Sequence, residues 1–117
     1  MLAFPAGFRV FIATQPVDMR KQYDGLWSEA VNRLKEDPMQ GAVFAFSNKD
    51  HNRLKLLYWD GTGIVVVAKR LEEGRFSWIV RPGENKVQLT ADALTMIMAG
   101  IDMKKTERKP WFRKNSA

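Results

Sequence analysis

Arg53-Leu-Lys-Leu-Leu-Tyr-Trp59, Asp60-Gly-Thr-Gly63, Ile64-Val-Val-Val-Ala-Lys-Arg-Leu71 and Glu72-Glu-Gly-Arg-Phe76, read in succession, decide the fold. β-branched and aromatic residues fill two runs. Asp60-Gly61 between them is a hairpin signal, because Asp and Gly tolerate the positive φ of a tight turn. Pairing about Asp60–Gly63 sets Trp59 against Ile64, Leu57 against Val66, Lys55 against Ala68 and Arg53 against Arg70. A second turn, Glu72-Glu73-Gly74-Arg75, predicts a third strand, with Leu71 against Phe76, Arg70 against Ser77 and Lys69 against Trp78. Side chains alternate, so two faces follow. Leu54, Leu56, Tyr58, Val65, Val67, Phe76, Trp78 and Val80 make one, which a long helix is expected to cover. The other is apolar near the turn (Trp59, Ile64, Leu57, Val66, Ala68, Ile79) and basic at its open end (Lys55, Arg53, Arg70).

Upstream, Phe8 to Ala13 reads as a strand ended by Pro16. Asp18 to Glu36 predicts a helix: Asp18 is a good N-cap. Met19, Tyr23, Leu26, Trp27, Ala30, Val31 and Leu34 recur at three-and-four spacing. Gly25 is a weak point within it, and Asp37-Pro38 stops it. Gly41 to Ser47 predicts a strand with Val43 and Ala45 on one side and Phe44 and Phe46 on the other. Asn48 to Asn52 is a polar turn. Downstream, Arg81 to Asn85 is a loop and Val87 to Leu89 a short strand. Thr90 is an N-cap for a second helix, with Asp92 favourable in its first turn. Leu89 and Leu94 occupy hydrophobic-staple positions, Leu94, Ile97, Met98 and Ile101 form its stripe, and Gly100 ends it.

A chain of 117 residues predicts one domain. We expect an α+β fold, a largely antiparallel β-sheet packed by two α-helices over residues 1–103, followed by a basic C-terminal tail over 104–117. Charge supports that division. The net charge is +6, of which residues 104–117 (Lys104, Lys105, Arg108, Lys109, Arg113 and Lys114, with Glu107) contribute +5. A near-neutral body with a basic arm suits a polyanion or an acidic partner; a solvated tail is the other reading. Trp111 and Phe112 within the tail could stack on bases, dock on a protein or fold back.

Cysteine is absent, which removes disulfides, thiolate metal sites and cysteine nucleophiles and suits a reducing cytoplasm. Met1 to Gly7 lacks the pattern of a signal peptide, and no apolar run reaches the length of a membrane span. His51, between Asp50 and Asn52, is the one histidine. It gives no recognisable metal site or catalytic triad. Asp18, Asp24, Asp37 and Asp60 could gather around a metal, as a nuclease needs, but a cap, a helix stop and a turn already account for three of them. We therefore expect no catalytic residues, no metal and no cofactor. The basic end of the sheet remains. Like charges opposite one another across strands repel, so Arg53 and Arg70, with Lys55, need a counter-charge. Glu72, Glu73 or Asp50 could supply it internally, or phosphates externally, with Lys69, Lys49 and Arg75 nearby.

Several ordered motifs resemble one bacterial family. In the front half they are Val17-Asp18-Met19-Arg20-Lys21 with Asp24-Gly25-Leu26, Asp37-Pro38, and Gly41 with Phe44 and Phe46. In the centre they are Arg53, Lys55, Tyr58-Trp59-Asp60-Gly61 with Gly63, Lys69-Arg70-Leu71, and Gly74-Arg75-Phe76 with Trp78. Leu89, Leu94 and Gly100-Ile101 close the pattern. Over about residues 8–103 the chain resembles the accessory protein encoded by the second open reading frame of insertion-sequence-sixty-six-type transposons. That family is often labelled like the RNA-guided transposon nucleases but looks unrelated to them. Ile79 stands where the family pattern has proline. The resemblance implies a protein needed alongside a separate, larger transposase, and it carries no catalytic residues. The expected function is non-enzymatic: binding transposon DNA through Arg53, Lys55, Lys69, Arg70, Arg75 and Lys49, helped by the tail, or binding the transposase, or both. A protein-binding module would instead use Trp59, Leu57, Ile64 and Ile79, for the transposase or for self-association.

Overall fold

The fold is known from a computed structural model, which describes residues 7–100. The central hairpin has the expected register. β3 (Arg53–Trp59) and β4 (Ile64–Arg70) are antiparallel, and all pairs from Trp59↔Ile64 to Arg53↔Arg70 are formed. The Asp60 side chain closes the turn by accepting from the Thr62 and Gly63 N–H groups and the Thr62 hydroxyl. Gly61 sits at φ +102°, which an L side chain rarely adopts.

β1 (Arg9–Ala13), β2 (Ala42–Ser47) and β5 (Lys86–Leu89) complete one five-stranded sheet in the order β4-β3-β2-β1-β5. Only β1 and β2 pair in parallel; the other neighbours are antiparallel, giving the expected α+β architecture. Alternation along β2 places Val43 and Ala45 on one face and Phe44 and Phe46 on the other, as its sequence requires.

The helices lie on opposite faces, and the first helix covers the face opposite to the one expected for it, which α2 covers instead. α1 (Tyr23–Ser28, continued by a wider turn over Glu29–Arg33) buries Leu26, Ala30 and Leu34 on Phe11, Phe44, Phe46 and Leu57. α2 (Ala91–Met98) buries Ala93, Leu94 and Ile97 on Val10, Ile12, Val43, Ala45, Leu54 and Leu56. Both sheet faces are apolar, so alternation alone does not say which helix takes which. The second helix has the predicted cap, Thr90 Oγ1 accepting from Ala93 N at 3.1 Å, and Leu89 and Leu94 share one cluster.

The first helix begins four residues later than an Asp18 cap predicts, because local bonds at Asp18 and a tie from Lys21 to the sheet hold the chain out of the helix. Asp18 accepts from Arg20 N at 2.9 Å and pairs with the Arg20 guanidinium at 2.7 Å instead of capping a helix. The Lys21 carbonyl, needed for a first helical turn, accepts from Lys55 Nζ at 2.8 Å. α1 passes this turn closely at Gly25: a Cβ there would lie 3.1 Å from Lys21 Cβ, so the Lys21 side chain would have to give by a few tenths of an ångström. α1 starts over β3 and β4, with Trp27 edge-on to Trp59, and ends near β5, where Leu34 O accepts from Lys86 Nζ. Its end is an i→i+5 turn, Leu34 N to Glu29 O, followed by Lys35 at φ +57°. Asp37 caps a short 3-10 turn, Pro38–Gln40, by accepting from Met39 N.

The expected third hairpin strand does not form. After β4 the chain leaves the ladder and crosses the α2 side to the far edge of the sheet. Phe76 N bonds to His51 O at 2.7 Å and Trp78 Nε1 to Ala13 O at 2.8 Å. Thr14 N then meets Asn85 O, and β5 pairs with β1. The alternating Phe76, Trp78 and Val80 imitate a strand. Phe76 and Trp78 pack over the α2-side core, while Val80 is 59% exposed. Ile79, expected on the other face, packs against this same cluster.

Candidate nucleic-acid interface

The basic end of the sheet is built by β3, β4 and the turn between β2 and β3. That turn is rigidly made. The Asn48 side chain accepts from the N–H groups of Asn52 and Arg53, and its amide donates to Asn52 Oδ1. His51 adopts φ +56° and stacks on Trp78, with ring centroids 5.8 Å apart. His51 O holds Phe76 N, which brings Arg75 to the same end. Burial, then the nearby Arg75 charge, lowers the His51 pKa, and Asp50 opposes this.

The six candidate cations of the sheet separate into two kinds. Arg53 and Arg70 are opposite one another, on the α1 side, and both are exposed. Arg70 has a long, exposed contact to Glu72 at 3.8 Å, worth little in water. Arg53, Lys49 and Arg75 are exposed and form no ion pair among the described residues. Lys55 and Lys69 are different. Lys55 is 5% exposed, and its ammonium is spent on the Lys21 carbonyl. Burial, then the neighbouring Arg53 charge, lowers its pKa. It pins the segment before α1 to β3, and its ammonium is not among the exposed charges of this end. Lys69 Nζ donates to Met98 O at 2.7 Å, at the C-terminal end of α2 where the helix dipole favours a cation. The structure therefore brings Arg53, Arg70, Lys49 and Arg75 to one end of the sheet. The basic tail, Lys104 to Lys114, lies outside the described residues.

The four apolar candidates do not make one surface. Leu57 is fully buried under α1, and Ile79 belongs to the opposite face. Trp59 and Ile64 remain half-exposed near the hairpin turn, close to Trp27.

One charged cluster was not legible in the sequence. Glu36 pairs with Lys86 and, at 3.6 Å, with Arg9, and both cations lie 5.3 Å from the Phe11 ring centroid. It joins the end of α1 to β1 and β5, and no local pattern announces it. Among the described residues no group of His, Cys, Asp or Glu could hold a metal ion, and no helix is long and apolar enough to cross a membrane. Asp18 is held at about pKa 2 by its hydrogen bonds to Arg20, and Asp60 is lowered by the backbone N–H groups of its turn.

Comparison with known proteins agrees with the motif resemblance. No solved structure matches. The uncharacterized protein y4jC of Sinorhizobium fredii (strain NBRC 101917 / NGR234) is 35% identical over 111 residues, covering 94% of this chain and 93% of the relative. The uncharacterized protein y4hO of the same strain is 33% identical over 102 residues, covering 87% and 88%. The IS66 Orf2-like pattern matches residues 8–108, running past the expected boundary at 103 into the first basic residues of the tail. A match of that extent, falling on the hairpin, α1 and α2 together, places the chain in the family of IS66 Orf2-like proteins, with an accessory role associated with transposition.

Proposed function

We propose that this protein is a non-enzymatic, cytoplasmic transposition factor that uses the basic end of its sheet to hold DNA phosphates and works beside the transposase of its element. The observation that carries this reading is the Arg53–Arg70 pair. Two guanidinium groups face each other across an antiparallel ladder, exposed, and among the described residues only the distant Glu72 offsets them. Like charges so placed destabilise a sheet, and a polyanion removes the cost. Lys49 and Arg75 widen the cationic end. Backbone contacts of this kind position a protein on DNA without reading sequence.

The test is binding to DNA carrying the ends of the element, measured against salt. Four phosphates neutralised predict a roughly 10²-fold fall in affinity between about 50 and 200 mM salt. Arg53→Glu with Arg70→Glu should weaken binding and flatten that slope. Affinity that hardly changes with salt sinks the DNA reading. Co-purification with the transposase, with and without DNA, tests the partner separately. Capture that survives both charge reversals places the transposase contact elsewhere.

A further inference from the structure

β4 is the longer of the two edge strands, and no described strand pairs with its free side. Its backbone polarity can be read from the two ends of the hairpin. Asp60 N bonds to Gly63 O, and Leu71 N bonds to Asn52 O. Hydrogen-bonded and non-bonded pairs alternate in an antiparallel ladder. The odd residues of β4 therefore point their N–H and C=O groups at β3. Ile64, Val66, Ala68 and Arg70 point theirs outward.

Natural sheets guard such an edge with proline, bulges, charge or brevity. β4 has seven residues, no proline and an uninterrupted register, and its first five residues are Ile-Val-Val-Val-Ala. Lys69 does not guard it, since its side chain is turned to Met98 O. Charge along the edge is asymmetric. One end carries Arg70, the other the Asp60 turn. A parallel neighbour of the same sequence would set Arg70 on Arg70. An antiparallel one sets Arg70 beside Ile64 and the Asp60 turn of the other copy, and opposes Val66 to Ala68.

We infer that two copies of this chain pair antiparallel along β4, with Val67 facing Val67 on the two-fold axis, to make one continuous ten-stranded sheet. This register overlaps the whole of β4 and satisfies the outward groups of Ile64, Val66, Ala68 and Arg70 in both copies. The axis is normal to the sheet, so both α1 helices lie on one side. On that side the half-exposed Val66 of each copy faces Ala68 of the other, and the two Val66 residues lie about 7 Å apart along the seam. The two Arg70 residues lie on that same side, about 20 Å apart along the seam.

Sedimentation of the full chain should show a dimer at high micromolar concentration. Val66→Pro and Ala68→Pro each remove an outward N–H and leave the bonds to β3 in place. Each should weaken self-association at least about tenfold while the thermal transition stays cooperative. The chain has no cysteine, so single cysteines report the register. Val67→Cys should form an intermolecular disulfide under mild oxidation, because a non-hydrogen-bonded pair brings Cα atoms to about 4.5 Å. Val65→Cys should not, since it lies about 14 Å along the seam from its copy. Three results overturn the inference. One is a dimer that forms no Val67→Cys disulfide. Another is a dimer that persists in both folded proline variants. The third is a monomer at every concentration. In a monomer, amide exchange at Ile64, Val66 and Ala68 separates an edge filled by the chain's own residues 101–117 (protected) from one left for a strand of another protein (unprotected).

Discussion

Lys55 and Arg53 stand two positions apart on one strand face, yet they do different work. The Lys55 ammonium is buried and donates to Lys21 O; the Arg53 guanidinium is exposed and has no ion pair among the described residues. Lys55→Met keeps most of the apolar stem but removes the partner of a part-buried carbonyl, and should cost about 1 kcal/mol in a denaturant melt. It should leave the salt slope of DNA binding unchanged. Arg53→Ala should do the reverse, lowering the slope by about one with little change in stability. His51 supplies a pH signature. Its folded pKa is lowered, first by burial and then by Arg75, below the 6.5 of the free side chain. Between those two values the unfolded chain binds more protons than the folded one, so stability is fully present above the unfolded pKa and is lost as pH falls through the folded one. The melting temperature should fall on acidification from neutrality, before carboxylates titrate. His51→Asn, which tolerates the left-handed backbone at this position, should flatten that fall.

At the scale of elements, the crossing segment after β4 ties both halves of the sheet through Trp78. Trp78→Phe retains an aromatic body against the α2-side core and removes the bond from Nε1 to Ala13 O. A loss of about 1–2 kcal/mol is expected, measured by equilibrium unfolding. The same segment shows why part of the fold was unreadable in sequence. The β3–β4 register followed from period-two alternation and a turn residue, both local. Residues 76–80 carry the same alternation, but distant acceptors on His51 and Ala13 decide their path. The start of α1 is shifted for a similar reason: Lys55 takes the Lys21 carbonyl, a partner 34 residues away. The choice of helix for each face was hidden by two faces of similar apolarity. In the candidate site, Arg53 and Arg70 were legible because register alone opposes them. That Lys55 and Lys69 each donate to a backbone carbonyl was not legible, because such an acceptor leaves no mark in the sequence.

The whole molecule divides its charge unevenly: residues 104–117 carry +5 of the net +6, while residues 1–103 hold cations and anions in near balance. Two electrostatic contributions to DNA binding follow, and they are separable. Replacing the six basic residues of the tail by Gln removes charge that any polyanion would feel. The salt slope should then drop by up to about five, with affinity falling alike on specific and random DNA. Arg53→Gln with Arg70→Gln removes only two charges, at fixed positions on one sheet face. The slope should drop by about two, and the protection footprint on DNA carrying the element ends should change, because fixed contacts set orientation as well as affinity. Combined, the two sets should add in the slope if they touch different phosphates. Should the tail variant alone abolish the salt dependence, with the Arg53 and Arg70 changes leaving both slope and footprint intact, the sheet end is not a DNA contact. The like-charge pair on β3 and β4 would then have to be answered by an acidic surface of the transposase, and charge reversal at those two positions should break the co-purification.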